Sequence, residues 1–316
     1  MSVLQSNKAR RFLFLVGIFA ILAILDPSRE VERHLQTAAI DTDEQESETV
    51  TKSSAIKPIM ATFFEVVDEG CCGMTKEGHE NLLRAWEDSW QAVGWETKIL
   101  TKEDAMKHPD FDLLDEKLKN VYVSPYNRRC MWRWLAMAMN EDEHGGWMSD
   151  YDLFPLTLTG EMGLKLAEEP GFKTWAGHVP ALIHSDRESW DKVLHMMMDN
   201  IPEDRKAGMP MVTDMFLLQF LHEFHKKEMN VTEWRSKVLG GFPYAPPSEE
   251  HDEPVINCKL AKMAFAAHLS HHDVEEAMEK WHKYPKIEGM KSWEHTERRG
   301  EAARVMMNDF RDKCLE

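Results

Sequence analysis

The amino-acid sequence predicts an α/β protein in which a mostly parallel β-sheet is flanked by helices and preceded by a transmembrane anchor and a stem. The chain has 316 residues, 43% of them apolar, which is enough to bury one large core. From residue 59 onward, strand-like and helix-like segments alternate, as in a parallel sheet covered by helices. An apolar run near the amino terminus is separated from these segments by an acidic stretch.

The amino terminus has the pattern of a membrane signal. Residues 12–25 are uncharged and apolar, with basic residues at positions 8, 10 and 11 before them and Asp26-Pro27 after them. A helix of this run spans about 21 Å, less than a bilayer core of roughly 30 Å, so a cleaved secretory signal competes with an uncleaved anchor. No small-x-small cleavage site precedes Asp26, which favours the anchor. The basic residues before the run favour a cytoplasmic amino terminus and a lumenal body.

These features divide the chain into four parts. Residues 26–57 are rich in Glu, Asp, Ser and Thr, and such a composition buries too little apolar surface to offset the entropy of ordering. The predicted parts are a cytoplasmic tail (1–11), a transmembrane signal anchor (12–25), a flexible stem (26–57) and a folded domain (58–316).

Charge and cysteine usage restrict the partners and the compartment. The net charge of -17 excludes nucleic acid as a general partner, because a polyanion would be repelled. An anionic ligand must therefore meet a local positive patch or a metal ion. The five cysteines contain no Cys-x-x-Cys pair; in an oxidising lumen they could form one or two disulfides, and an odd one stays free. The sequon Asn230-Val231-Thr232 is compatible with lumenal exposure.

The first half of the folded domain is predicted from apolar periodicity and capping signals. Thr101 to Asp104 resembles a capping box that opens a short helix before Pro109, and Ser124-Pro125 places a cap and a first-turn proline before another helix. Gly145-Gly146 ends that helix. The predicted elements are a strand over 59–67, a helix over 75–93, a strand over 96–100, a helix over 126–140 and a strand over 147–156.

The second half continues the alternation. The predicted elements are a strand over 172–184, helices over 188–200 and 213–226, a segment over 255–268 that leads into a strand, and helices over 270–283 and 298–313. The 11 Trp and 21 Met residues fall mostly on helix faces or in strand interiors, where the expectation is that they fill the core.

The triplet Asp150-Tyr151-Asp152 is the strongest chemical signal in the sequence. Side chains alternate along a strand, so Asp150 and Asp152 project on the same side at its end. Two such carboxylates can hold Mn²⁺ or Mg²⁺ and leave coordination positions for the diphosphate of a nucleotide-sugar. The ion would stabilise the departing nucleoside diphosphate.

The surroundings of the triplet resemble a known family. A helix carrying Arg133 and continuing to Ala138, the Gly145-Gly146 turn and the segment 147–152 resemble glycosyltransferases with the DXD sugar-binding region, among them Golgi enzymes of the initiating α-mannosyltransferase and α-galactosyltransferase type. The resemblance is firmest over residues 126–155 and looser over 59–273. It implies a GT-A-type nucleotide-sugar-binding fold and a single-pass type II Golgi membrane protein with a lumenal catalytic domain.

The resemblance also implies an activity and residue roles. The activity is transfer of a hexose from a nucleotide-sugar donor to a glycan or glycoconjugate acceptor, with retention of anomeric configuration. Asp152 would be the more direct metal ligand, and Asp150 would bind the metal, its water or the donor ribose. Arg133 would contact the donor; alternatively it is a solvated helix arginine.

Three further residues are candidates on the carboxy-terminal side. In such enzymes a histidine after the last strand binds the metal or diphosphate, which here implies His268 as a metal ligand and His271 as a donor contact. Ser270 and Asp273 are explained without a ligand, as a capping box. Asp214 resembles the acid placed beside the acceptor hydroxyl, and its alternative is a helix cap.

Two other functions are compatible with the sequence. A secretory-pathway protein of the same fold could bind glycans or partners without turnover; the acidic segment 140–144 and Met148-Ser149 motivate this alternative. A metal-dependent hydrolase could use Asp150, Asp152, His268 and His271, although a two-metal site would need a second cluster of ligands.

Overall fold

A computed structural model describes residues 57–66, 74–121, 123–140, 146–203, 212–249, 251–280, 282–291 and 294–315. The predicted cytoplasmic tail and anchor, and the predicted stem up to residue 56, lie outside these ranges. Among the described residues, no helix combines the length and the apolar content needed to cross a membrane.

The described residues form eleven strands and ten helices. The strands are β1 (Ile59–Phe63), β2 (Glu96–Leu100), β3 (Gly146–Ser149), β4 (Leu153–Pro155), β5 (Phe172–Thr174), β6 (Leu182–Ser185), β7 (Val231–Trp234), β8 (Val238–Gly240), β9 (Tyr244–Ala245), β10 (Val255–Ile256) and β11 (Ala266–His268). The helices are α1 (Lys76–Ala92), α2 (Lys102–Ala105), α3 (Phe111–Asn120), α4 (Pro125–Ala138), α5 (Gly160–Ala167), α6 (Arg187–Asp199), α7 (Asp214–Phe224), α8 (Cys258–Met263), α9 (His271–Glu279) and α10 (Arg299–Cys314).

The main sheet has six strands in the order β2-β1-β3-β6-β5-β7. β1 pairs in parallel with β2 and β3, and β5 pairs in parallel with β7. β6 runs antiparallel to both of its neighbours, β3 and β5. The predicted α/β class with a mostly parallel sheet flanked by helices is therefore confirmed. A smaller sheet has the order β4-β11-β8, and β9 pairs with β10.

The two faces of the main sheet bury separate cores. Met60 and Trp147 belong to a core that includes side chains of α1, α10 and the smaller sheet. The next residues along the same strands, Ala61 and Met148, belong to a second core with side chains of α3, α4, α6 and α7. This alternation is the period-two geometry of strands buried on both faces. Seven tryptophans lie among the largest fully buried side chains, which confirms the predicted packing role: Trp86, Trp90, Trp95, Trp134, Trp147, Trp175 and Trp190.

Two of the predicted strands were wrong as single elements. The segment predicted over 147–156 contains β3 and β4, which belong to different sheets because the chain turns at the Asp-Tyr-Asp triplet. The Leu153 N–H donates to the carbonyl of Asp150 at 3.0 Å and closes that turn. The segment predicted over 172–184 contains β5 and β6, which pair antiparallel across a turn that includes Gly177 at φ 61°. All four strands are buried at every position, so they lack the period-two alternation that would reveal the reversal.

The capping predictions are confirmed. The Asp104 carboxylate accepts a hydrogen bond from the Thr101 N–H at 3.0 Å, as a capping box requires. Ser124 caps α4 with Pro125 in the first turn, and Ser270 accepts a hydrogen bond from the Asp273 N–H at 3.1 Å at the start of α9. Helices α3, α5 and α8 and strands β7 to β10 were not predicted as separate elements.

One disulfide joins the start of α8 to the end of α10. Cys258 and Cys314 are bonded across a sequence separation of 56 residues. Cys130 is a free thiol, and burial raises its pKa to about 12. The other two cysteines, at positions 71 and 72, lie outside the described residues. The pairing agrees with the expectation of a bridge and an odd free thiol.

Candidate metal centre

The Asp-Tyr-Asp triplet lies beside the point at which the order of strands in the main sheet reverses. β1 leads through α1 to β2 on one side, whereas β3 lies on the other side of β1. α1 contributes to the core on one face of the sheet and α4, which precedes β3, to the core on the opposite face. The order of the strands therefore reverses at β1, and open α/β sheets bind ligands at the carboxyl ends of the strands beside such a point. The triplet follows β3 directly.

Strand pairing brings His268 to the triplet. β4, which follows the triplet, pairs antiparallel with β11, so that His268 is in register with Leu153. One residue further, the Leu269 N–H donates to the carbonyl of Asp152 at 2.8 Å. The predicted metal ligands Asp150, Asp152 and His268 consequently meet at one point.

Three potential ligand atoms form a tight group. His268 Nε2 lies 3.1 Å from Asp152 Oδ1 and 3.5 Å from Asp150 Oδ2. One ligand atom from each residue lies within 4.8 Å of the other two, and no other such group of three or more occurs in the described part of the chain. In an octahedral site with bonds of about 2.1 Å, neighbouring ligand atoms are about 3.0 Å apart, so this spacing suits a small divalent cation.

Two arginines donate hydrogen bonds to the carboxylate oxygens that do not face His268. Arg133 Nη1 donates to Asp150 Oδ1, the oxygen that does not face His268. Arg299 Nη1 donates to Asp152 Oδ2 at 3.0 Å. Each aspartate therefore has one oxygen bound by a guanidinium and the other turned toward the histidine. Such partners orient metal ligands and fix which atom faces the ion.

Asp214 supports Arg133 from the opposite side. It is the first residue of α7, and Thr213 caps that helix by accepting a hydrogen bond from the Phe216 N–H at 3.1 Å. Asp214 Oδ2 accepts hydrogen bonds from Arg133 Nε at 2.8 Å and from Trp134 Nε1 at 3.2 Å. The Asp214 side chain is buried, and these donors together with the Met215 N–H use both of its oxygens.

The charges of the group are strongly coupled. Burial raises the pKa of Asp150 despite the opposing effect of Arg133. Burial acts in the same direction on Asp152, but His268 and Arg299 outweigh it and hold the pKa of Asp152 well below the usual range. For His268, burial favours the neutral ring, yet Asp152 and Asp150 raise its pKa to about 9. Without a cation, a proton on His268 thus balances the carboxylates.

An aromatic cluster surrounds Tyr151, the middle residue of the triplet. The Phe64 ring, just after β1, lies 5.3 Å from the Tyr151 ring and 5.4 Å from the His79 ring, measured between centroids. Burial and the neighbouring Arg299 lower the pKa of His79, which favours the neutral form of its ring. Its Nδ1 is buried and finds no hydrogen-bond partner among the described residues.

Comparison with known proteins identifies the family. A family model described as "Domain of unknown function (DUF8765)" matches residues 40–239, more than half of the chain. The chain belongs to this family. No curated protein and no solved structure matches it. The match in this DUF8765 protein includes Arg133, Asp150, Asp152 and Asp214, whereas His268 and Arg299 lie beyond the matched residues.

The structure brings five of the predicted site residues of the DUF8765 protein together and leaves one apart. Asp214 contacts Arg133, Arg133 contacts Asp150, and His268 lies beside both Asp150 and Asp152. His271 is exposed in the first turn of α9 and is not a member of the metal-binding group. Sequence reasoning missed Arg299, because nothing in the local pattern distinguishes it from Arg298 beside it.

Proposed function

We propose that this DUF8765 protein is a metal-dependent glycosyltransferase of the GT-A type that transfers a hexose from a nucleotide-sugar to a glycan or glycoconjugate acceptor, with retention of configuration. The observation that carries the proposal is the convergence of Asp150, Asp152 and His268 at the carboxyl edge of β1 and β3. A nucleotide-sugar carries a diphosphate, and an acidic protein of net charge -17 needs a local positive patch or a metal ion to bind it.

The ligand set favours Mn²⁺ over Mg²⁺. Mg²⁺ prefers oxygen ligands and retains its waters, whereas Mn²⁺ accepts carboxylates together with one imidazole. Asp150 Oδ2, Asp152 Oδ1 and His268 Nε2 would occupy three positions of an octahedron. When bound, the ion stabilises the negative charge that develops on the leaving nucleoside diphosphate.

The surrounding side chains suit the remaining parts of a donor. Arg133 lies beside the ligands with its side chain 11% exposed, and a guanidinium is suited to binding a phosphate oxygen. Phe64 and Tyr151 offer ring surface to a nucleoside. Asp214 currently holds Arg133 in place, and its role beside the acceptor hydroxyl stays a prediction.

Features outside the site support a lumenal, membrane-anchored protein. The Cys258–Cys314 disulfide is typical of an oxidising compartment. The sequon residues Asn230 and Thr232 are both exposed. Together with the apolar run over residues 12–25, these features support a type II protein of the Golgi membrane.

The proposal is tested by turnover of the donor. The full chain, purified in mild detergent, is incubated with Mn²⁺, a panel of nucleotide-sugars and glycan acceptors, and the release of nucleoside diphosphate is measured. Release with at least one donor is expected, and it should be lost on chelation and in Asp152→Asn. The matched control is Asp115→Asn, since Asp115 is a buried aspartate paired with Arg128, away from the cluster; this variant should keep its activity.

The alternatives predict different results. A glycan-binding protein without turnover would show calorimetric binding that a chelator leaves unchanged, and no nucleoside diphosphate would appear with any donor. Release of inorganic phosphate from a phosphoester would instead support a hydrolase, although the described residues contain a single group of metal ligands. Either result would contradict the proposed transferase.

A further inference from the structure

We propose that Arg299 is a positioning residue of the metal centre, which holds Asp152 so that this carboxylate offers the cation a single oxygen. The inference rests on the proposed function, because it requires the cluster to bind a metal ion. Arg299 is the first residue of α10 and is only 2% exposed. It reaches the cluster from a part of the chain 147 residues after Asp152.

The contacts of Arg299 fix both the side chain and the backbone near Asp152. Its Nη1 donates to Asp152 Oδ2 at 3.0 Å and to the carbonyl of Leu269 at 2.8 Å. The Leu269 N–H in turn donates to the Asp152 carbonyl at 2.8 Å. Asp152 is therefore held at its backbone by β11 and at one carboxylate oxygen by Arg299, which leaves only Oδ1 facing His268.

The two arginines of the centre differ in what they can reach. Arg133 binds Asp150 in the equivalent way, but its side chain is 11% exposed, which leaves part of it open to a donor. The Arg299 side chain is 3% exposed and cannot contact a bound substrate. Its effect on the ion must therefore pass through Asp152. With one oxygen from each aspartate and one histidine nitrogen, three of six octahedral positions stay available to diphosphate and water.

Packing of α10 against α1 fixes the position of the Arg299 backbone. A Cβ atom on Gly300 would lie 2.8 Å from the carbonyl oxygen of Asn81, so only glycine permits this approach of the two helices. Glu297 accepts a hydrogen bond from the Thr75 N–H at 2.8 Å, at the start of α1. The guanidinium is thus placed before any ion arrives, as preorganisation of a metal site requires.

The test compares Mn²⁺ affinity among arginine variants of the full chain in mild detergent, measured by calorimetry and by electron paramagnetic resonance of free Mn²⁺. Loss of a partner of this kind typically weakens metal binding about 10- to 100-fold, and we expect this for Arg299→Met. Arg299→Lys, which keeps the charge without the guanidinium fork, should fall between Arg299→Met and wild type. The matched control is Arg304→Met: Arg304 also joins α10 to α1, through Asn81 Oδ1 at 2.7 Å, without touching the cluster.

A double-variant comparison separates positioning from general support of the fold. If Arg299 acts through Asp152, adding Arg299→Met to Asp152→Asn should weaken the residual Mn²⁺ binding no further. An equal loss in both backgrounds, or an Arg299→Met affinity within twofold of wild type, would overturn the proposal. If Arg299→Met lacks a cooperative melting transition, the Mn²⁺ affinity of Arg299→Lys is compared with wild type instead. An affinity within twofold of wild type would then overturn the proposal.

The outcomes also distinguish this inference from the proposed function. Wild-type protein that binds no Mn²⁺ would contradict both. Binding that is lost in Asp152→Asn but unchanged in Arg299→Met would contradict only the role of Arg299.

Discussion

If the cluster binds Mn²⁺ as proposed, the proton on His268 makes that binding depend on pH. In the metal-free protein, Asp152 and Asp150 raise the pKa of His268 to about 9 against the effect of burial. A histidine ring must be neutral to bind a metal ion, so below pH 9 the ion has to displace one proton from Nε2. At pH 7 about 1% of the histidine is neutral, which weakens binding by about 2.7 kcal/mol relative to its value above pH 9. Affinity should therefore increase about tenfold for each pH unit between 6 and 8.

Calorimetry in buffers of different ionisation enthalpy measures the number of protons released. We expect about one proton per Mn²⁺ at pH 7. His268→Gln removes the titrating ligand, so its weaker binding should be nearly independent of pH over the same range. His195→Gln is the control: this histidine is paired with Asp110 at 2.9 Å on another part of the surface, and its loss should leave the slope unchanged. Wild-type affinity that stays constant between pH 6 and 8 would refute the reasoning.

The raised pKa of His268 also predicts that the stability of the metal-free protein decreases with pH, whereas the Mn²⁺ affinity increases. The pKa of His268 is raised above its ordinary value of 6.5 in the folded state. Its stabilisation is therefore complete below pH 6.5 and is lost as the pH rises through 9. The melting temperature without metal should fall across this window, whereas saturating Mn²⁺ should reduce that fall because the ion replaces the proton.

Three further predictions concern the fold and the compartment. Replacing Cys258 and Cys314 by serine opens a loop with a separation of 56 residues, which should lower the free energy of unfolding by about 4 kcal/mol in denaturant titrations; an unchanged midpoint would contradict it. Gly146→Ala places a Cβ atom 2.9 Å from Trp190 Nε1, so overpacking should destabilise the protein by about 1–3 kcal/mol in the same assay. In a secretory host, the exposed Asn230 should carry a glycan, seen as a glycosidase-sensitive gel shift that Asn230→Gln abolishes; its absence would argue against lumenal exposure.

Local signals in the sequence were sufficient for many elements of the fold. Caps such as Ser124 and Ser270 act through hydrogen bonds to residues three positions away, so their motifs identify helix starts without tertiary information. The segments around β3 and β6 were harder, because both of their faces are buried. Every residue of these two strands is buried, including the polar Ser149 and His184, so the sequence has no period-two alternation that a reversal would interrupt.

What the sequence by itself determined is the pair of aspartates at a strand end and the alternation that predicts the sheet, since both depend on neighbours along the chain. The tertiary structure decided which distant residues join them. His268 is 116 residues from Asp152 and Arg299 is 147 residues from it. The pairing of β4 with β11 and the packing of α10 on α1 bring these side chains together. Such contacts depend on the summed burial of many residues, and no local spacing encodes them.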